Sequence, residues 1–84
     1  MARVKYKNYE IEVWVELYEP DDDFIVYYCE SVKEAKHYQQ VWPQYAHCAI
    51  RWAAAEIINE DGDVNPSVNG ATKKEALDKL KKVL

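Results

Sequence analysis

Glycine is almost missing from this chain: two in 84 residues, Gly62 and Gly70. That scarcity removes the glycine-rich loops that cradle phosphates in nucleotide-binding folds. Hydroxyl nucleophiles are equally few, with Ser31, Ser67 and Thr72 the whole supply. Nucleophilic catalysis needs an activated nucleophile, a base and a cleft to hold both, and so small a chain offers little of any. The expectation is a protein that is not an enzyme and carries no cofactor. No apolar run approaches the roughly 18 residues of a membrane-spanning helix. The start MARVKYKNYEIEV is basic but alternates in polarity, unlike the apolar block of a secretion signal. Two cysteines are too few for a disulfide framework, which favours a reducing, cytoplasmic setting.

Basic residues are the most informative absence. From Asn8 to Val32 there are eight acidic side chains and no Lys or Arg. The cations sit at the ends instead: Arg3, Lys5 and Lys7 at the start, and five Lys against two acidic residues over 72–84. Net charge is only −4, so it is the segregation that points to a partner-facing surface.

What is present describes one small α+β domain spanning residues 1–84. Half the residues are apolar (49%), too many for a disordered chain. At this length folding removes roughly 60–65% of the unfolded chain's surface, so the stability margin is thin. YEIEVWVEL alternates with period two: Tyr9, Ile11, Val13, Val15 and Leu17 share one face, Glu10, Glu12, Trp14, Glu16 and Tyr18 the other. EPDDD then turns the chain into FIVYYC, which predicts an antiparallel hairpin over residues 9–29. Ser31 and Glu34 form a capping box at the start of a helix that Pro43 must end. The alanine-rich QYAHCAIRWAAAEIIN reads as a second helix, although HCAIRW is also compatible with strand. A polar loop follows, with room for a short third strand near Val64 or Val68. A second capping box, Thr72 and Glu75, opens a final helix. The expected order is ββαα, loop, α.

Four metal-type donors, Cys29, His37, His47 and Cys48, fall within twenty residues. Their spacing fits no common zinc motif, and neighbours on a helix diverge by about 100°. No metal is therefore expected. The alternating Asn59, Asp61, Asp63 and Asn65 suggest a calcium loop, but the sixth and twelfth positions are Val64 and Gly70, not the Gly and Glu required.

The segment NGATKKEALDKLKKVL carries two resemblances. TKKEA is similar to the Lys-Lys start of the last helix in double-stranded-RNA-binding domains, which implies phosphate contacts by Lys73 and Lys74. Gly70, Thr72, Glu75, Ala76 and Leu77 also resemble the strand-to-helix segment of HicB-type antitoxins. Each likeness covers about a dozen residues, and the rest of the chain departs from both patterns. No family is assigned on it.

Two functional expectations result. The first is a protein-binding module of inhibitor or adaptor type, using Glu10, Glu12, Trp14, Glu16, Tyr18, Asp21, Asp22 and Asp23 against a partner protein with a basic surface. Compact acidic proteins of this size include phage-type inhibitors that fill nucleic-acid channels, anti-CRISPR proteins among them. Carboxylates on alternate strand residues lie about 6.7 Å apart. DNA phosphates are about twice as dense, so a mixed acidic and aromatic surface is expected in place of full mimicry. The alternative is a nucleic-acid-binding domain using Arg3, Lys5, Lys7, Lys73 and Lys74.

Overall fold

A computed structural model describes residues 2–84 and contains five strands and two helices: β1 (Ala2–Tyr6), β2 (Tyr9–Glu19), β3 (Phe24–Cys29), α1 (Val32–Val41), β4 (Ala49–Glu56), β5 (Val68–Gly70) and α2 (Lys73–Lys81). The class is α+β, but the order is βββαββα, not ββαα, loop, α. All strand pairs are antiparallel. β2 is the spine. Its eleven residues run roughly 34 Å, most of the 42 Å long axis of the molecule. One edge of β2 pairs first with β1 and then with β3, while the other pairs with β4 over eight positions, Ile11↔Glu56 through Tyr18↔Ala49. β5 closes the far side against β4.

Three elements differ from the sequence expectation, each for a physical reason. β1 adds a third strand to the predicted hairpin, on the same edge of β2 as β3. Its turn is the pair Lys7-Asn8, with Lys7 in the left-handed region (φ 53). Glycine-containing pairs usually announce such turns, and this one has none. The segment expected as a second helix is instead a short 3-10 turn, Pro43–Tyr45, followed by β4. Its alanines serve space rather than helix propensity. Ala53, Ala54 and Ala55 are fully buried, with Ala54 packed near Ala76 and Leu80 of α2, and Ala53 and Ala55 on the opposite face against Trp14. Tertiary packing overrides local preference here. β5, the short third strand expected near Val64 or Val68, is present at Val68–Gly70, and Val64 forms an isolated bridge with Ile57.

The helix boundaries follow their signals. Ser31 Oγ accepts from Glu34 N (3.1 Å) and Thr72 Oγ1 from Glu75 N (3.1 Å). Each glutamate reaches back one residue beyond the cap, to the amides of Glu30 (3.0 Å) and Ala71 (3.3 Å). Trp42, immediately before Pro43, is extended and ends α1, as the clash with the proline ring requires. Both helices cover the same sheet face. Ile11, Val13 and Ala54 meet α2 through Ala76 and Leu80, while Val15 and Cys29 meet α1 through Ala35.

Gly70 sets the spacing between sheet and α2, since a Cβ there would stand 2.6 Å from the backbone nitrogen of Ala76. Gly70→Ala should therefore cost about 1–3 kcal/mol. Urea unfolding would show a lower midpoint with an unchanged slope, and an unchanged midpoint would refute this packing.

Candidate functional site

The sheet face away from the helices carries the five β2 residues named for the partner-binding surface, as their alternation requires, while Asp21, Asp22 and Asp23 lie in the turn beyond it. Glu10, Glu12, Trp14, Glu16 and Tyr18 of β2 are joined on it by Arg51, Ala53 and Ala55 of β4, Tyr28 and Ile25 of β3, and Arg3 and Lys5 of β1. What alternation could not supply is the degree of cover. Trp14 is only 6% exposed and Glu16 only 1%. The expectation that Trp14 and Glu16 are open to a partner is corrected accordingly. The indole ring lies against Ala53 and Ala55, where any larger side chain would lift it, and its edge meets Tyr28 at 6.5 Å between ring centres.

A buried charge needs partners, and Glu16 has two. Trp14 Nε1 donates to Glu16 Oε2 (2.9 Å) and Arg51 Nε donates to Glu16 Oε1 (2.8 Å). Arg51 also donates to Asp23 Oδ1 (2.7 Å) and lies 4.1 Å over the Tyr18 ring. Burial works against the guanidinium charge, but the hydrogen bonds and charges of Glu16 and Asp23 outweigh it and hold Arg51 above its ordinary value. A single cation from the neighbouring strand β4, distant only in sequence, thus neutralises two of the carboxylates assigned to the acidic row. Glu10 faces Arg3 across 3.9 Å, an exposed pair of small energetic weight. Among the described residues, Glu12 and Asp21 have no ion-pair partner, and Asp22 accepts only a weak bond from Phe24 N (3.4 Å).

Between the hairpin and the loop after β4 lies an open groove of about 570 Å³. Trp14, Tyr28 and Ile25 line it from the sheet, Val64, Asn65, Pro66 and Ser67 from the loop, with Glu12 and Glu16 also on its wall. The loop is held by its own polar groups. Asn59 Nδ2 donates to Asp63 Oδ2 (2.8 Å), and Asn65 Nδ2 donates to Glu56 Oε1 (2.9 Å). Those residues of the calcium-like pattern close the turn. Beside the groove, Tyr28 (56% exposed) presents its ring to solvent, while the exposed Phe24 (62%), opposite Glu19 in the β2–β3 register, belongs to the other sheet face. Neither ring was among the residues expected at the site, although the uncharged FIVYYC on an edge strand was a legible signal.

The basic residues do not converge. Arg3 and Lys5 lie on the grooved face, whereas α2 covers the other. Lys73 and Lys74 begin α2 beside β5, at the sheet edge opposite β1, and Lys74 is paired with Asp78 (2.8 Å). Lys7 instead meets Lys81 around the Tyr6 ring, each ammonium 5.1 Å from its centre.

The four soft-metal donors separate too. Cys29 is buried in the α1 core and His37 is exposed on α1. His47 and Cys48, in a turn and not a helix, come together with Glu19. No described protein family, curated protein or solved structure matches the chain.

Two outcomes test this chemistry. Arg51→Ala leaves Glu16 buried without its cation and should cost about 3–5 kcal/mol, whereas Arg51→Met combined with Glu16→Leu should recover most of it. Chemical denaturation of the single and double variants reads the difference. Burial, and then the charge of Glu34, push the Cys29 thiol up to about 11. Below that pH the thiolate is scarce, so Cys29 should resist alkylation in the folded protein and react only on unfolding. Mass spectrometry of alkylated native protein checks this.

Proposed function

We propose that this domain is a non-enzymatic protein-binding module that takes a basic segment of a partner protein on the grooved sheet face. The observation that supports this reading most is the groove itself, with aromatic and apolar walls from Trp14, Tyr28, Ile25 and Pro66 and the carboxylate of Glu12 beside them, which has no ion-pair partner among the described residues. Aromatic rings attract cationic side chains through their faces, and a carboxylate at the same site adds the complementary charge. Exposed Tyr28 suits the role of anchor, since large rings carry much of the binding energy of small interfaces. Asp21 and Asp22 at the hairpin tip suit the role of steering charges. An inhibitor or adaptor role follows from such a module, because occupying a basic surface denies it to other ligands.

The reading is tested by affinity capture from a host lysate, followed by kinetics on the identified partner. Tyr28→Ser should speed dissociation, whereas Asp21→Asn with Asp22→Asn should slow association and flatten its salt dependence. Each should change affinity by at least threefold, about 0.65 kcal/mol. Lys73→Ala with Lys74→Ala should leave binding intact. Salt-sensitive binding to duplex RNA or DNA that this double change abolishes would replace the proposal with the nucleic-acid reading.

A further inference from the structure

The sheet end opposite β1 gathers three donors that the sequence keeps apart. Glu19 continues the alternation of Ile11, Val13, Val15 and Leu17, so its side chain is set toward the helix-covered face at a position where the pattern calls for an apolar residue. The β2–β4 ladder ends at Tyr18↔Ala49, and one further step of that register brings Glu19 opposite Cys48. His47 precedes Cys48 in the turn after Pro43–Tyr45. The turn is pinned: Cys48 N donates to Tyr45 O (3.0 Å), Ala46 N to Pro43 O (3.1 Å), and Gln39 Nε2 of α1 donates to Cys48 O (2.7 Å). Tyr45 is fixed in turn by its edge-to-face contact with Tyr27, 5.6 Å between ring centres.

In this arrangement His47 Nε2 stands 3.5 Å from Glu19 Oε1 and 4.0 Å from Cys48 Sγ, and the three donor atoms lie within 4.8 Å of one another. A tetrahedral zinc site with its usual bond lengths has donor separations of about 3.3–3.6 Å. The cluster is therefore close to closing on one ion by side-chain adjustment alone. Divergence of adjacent side chains, the ground for expecting no metal, applies to a helix and not to this turn. No Lys or Arg pairs with Glu19 among the described residues, and its ion-pair partner there is His47.

We propose that Glu19, His47 and Cys48 form a binding site for a thiolate-tolerant divalent transition metal of the zinc class. Sulfur, imidazole and carboxylate together select zinc or cobalt over calcium or magnesium, which take oxygen ligands alone. Three protein ligands leave the fourth tetrahedral position to solvent, on the side where His47 is exposed. Binding forms the metal–sulfur bond as the Cys48 thiol releases its proton to solvent. Without a cation, burial and the Glu19 charge push that thiol up from its ordinary value, and a bound ion opposes both effects. The site stands apart from the groove and does not depend on the protein-binding reading.

Cobalt(II) titration of the reduced full chain at neutral pH is the test. The expected result is one equivalent bound, with a thiolate-to-cobalt charge-transfer band, visible bands of a four-coordinate ion, and displacement by zinc. His47→Ala and Cys48→Ser should each remove the band, and Glu19→Gln should weaken binding by about tenfold or more. Cys29→Ser and His37→Ala should leave it unchanged. His47 is exposed, so its variant is expected to retain the wild-type far-ultraviolet circular dichroism whatever becomes of Cys48→Ser. Absence of a thiolate band, its survival in His47→Ala, or its loss in Cys29→Ser would overturn the proposal.

Discussion

The pairing of β2 with β4 along eight residues is the constraint on which the rest of this structure depends. It places Glu16 opposite Arg51 and Trp14 opposite Ala53, so one register decides both the buried ion pair and the floor of the groove. A shift of a single residue would turn every side chain of β4 to the other face. Ala54 would leave α2, Arg51 would enter the core, and Glu16 would be buried without a cation. Breaking such a pair by removing one partner is costly, which gives the ladder a strong preference for its native register. The ion pair is in this sense a registry device, as well as the means by which two carboxylates of an acidic surface are neutralised.

The two faces of the sheet use the same spine differently. On the helix side, small residues at the contact points allow close approach: Ala35 on α1, Ala76 on α2, and Gly70 beneath it. On the other side no helix is available, and cover comes from a tryptophan laid over alanines and from the loop after β4. A loop leaves a groove where a helix would have left a packed seam. That difference is the physical origin of the groove, and it explains why the exposed ring on its wall, Tyr28, comes from the edge strand instead of the spine.

The ends of the sheet matter as much as its faces. At one end, Lys7 and Lys81 share the Tyr6 ring, joining the basic start and finish of the chain. At the other, β2 ends on a glutamate and β4 begins after a cysteine, and the ladder's register brings them together beside His47. Neither grouping follows from spacing along the sequence, since each joins segments that only the folded sheet makes neighbours.

Sequence alone determined whatever rests on a local repeat or a local clash. The alternation of YEIEVWVEL assigned each β2 residue to its face, EPDDD marked the turn, the two capping boxes marked the helix starts, and Pro43 marked the end of α1. It did not decide which face was wet, because burial of Trp14 and Glu16 depends on Arg51 and on the loop holding Val64 and Pro66, both distant in sequence. Nor did it decide that AIRWAAAE is a strand. Alanine favours a helix by its own propensity, but in this fold the requirement was for small side chains on both faces of a central strand. Only tertiary structure could express that requirement, because the atoms that impose it, the Trp14 ring on one side and α2 on the other, are set in place by the finished sheet.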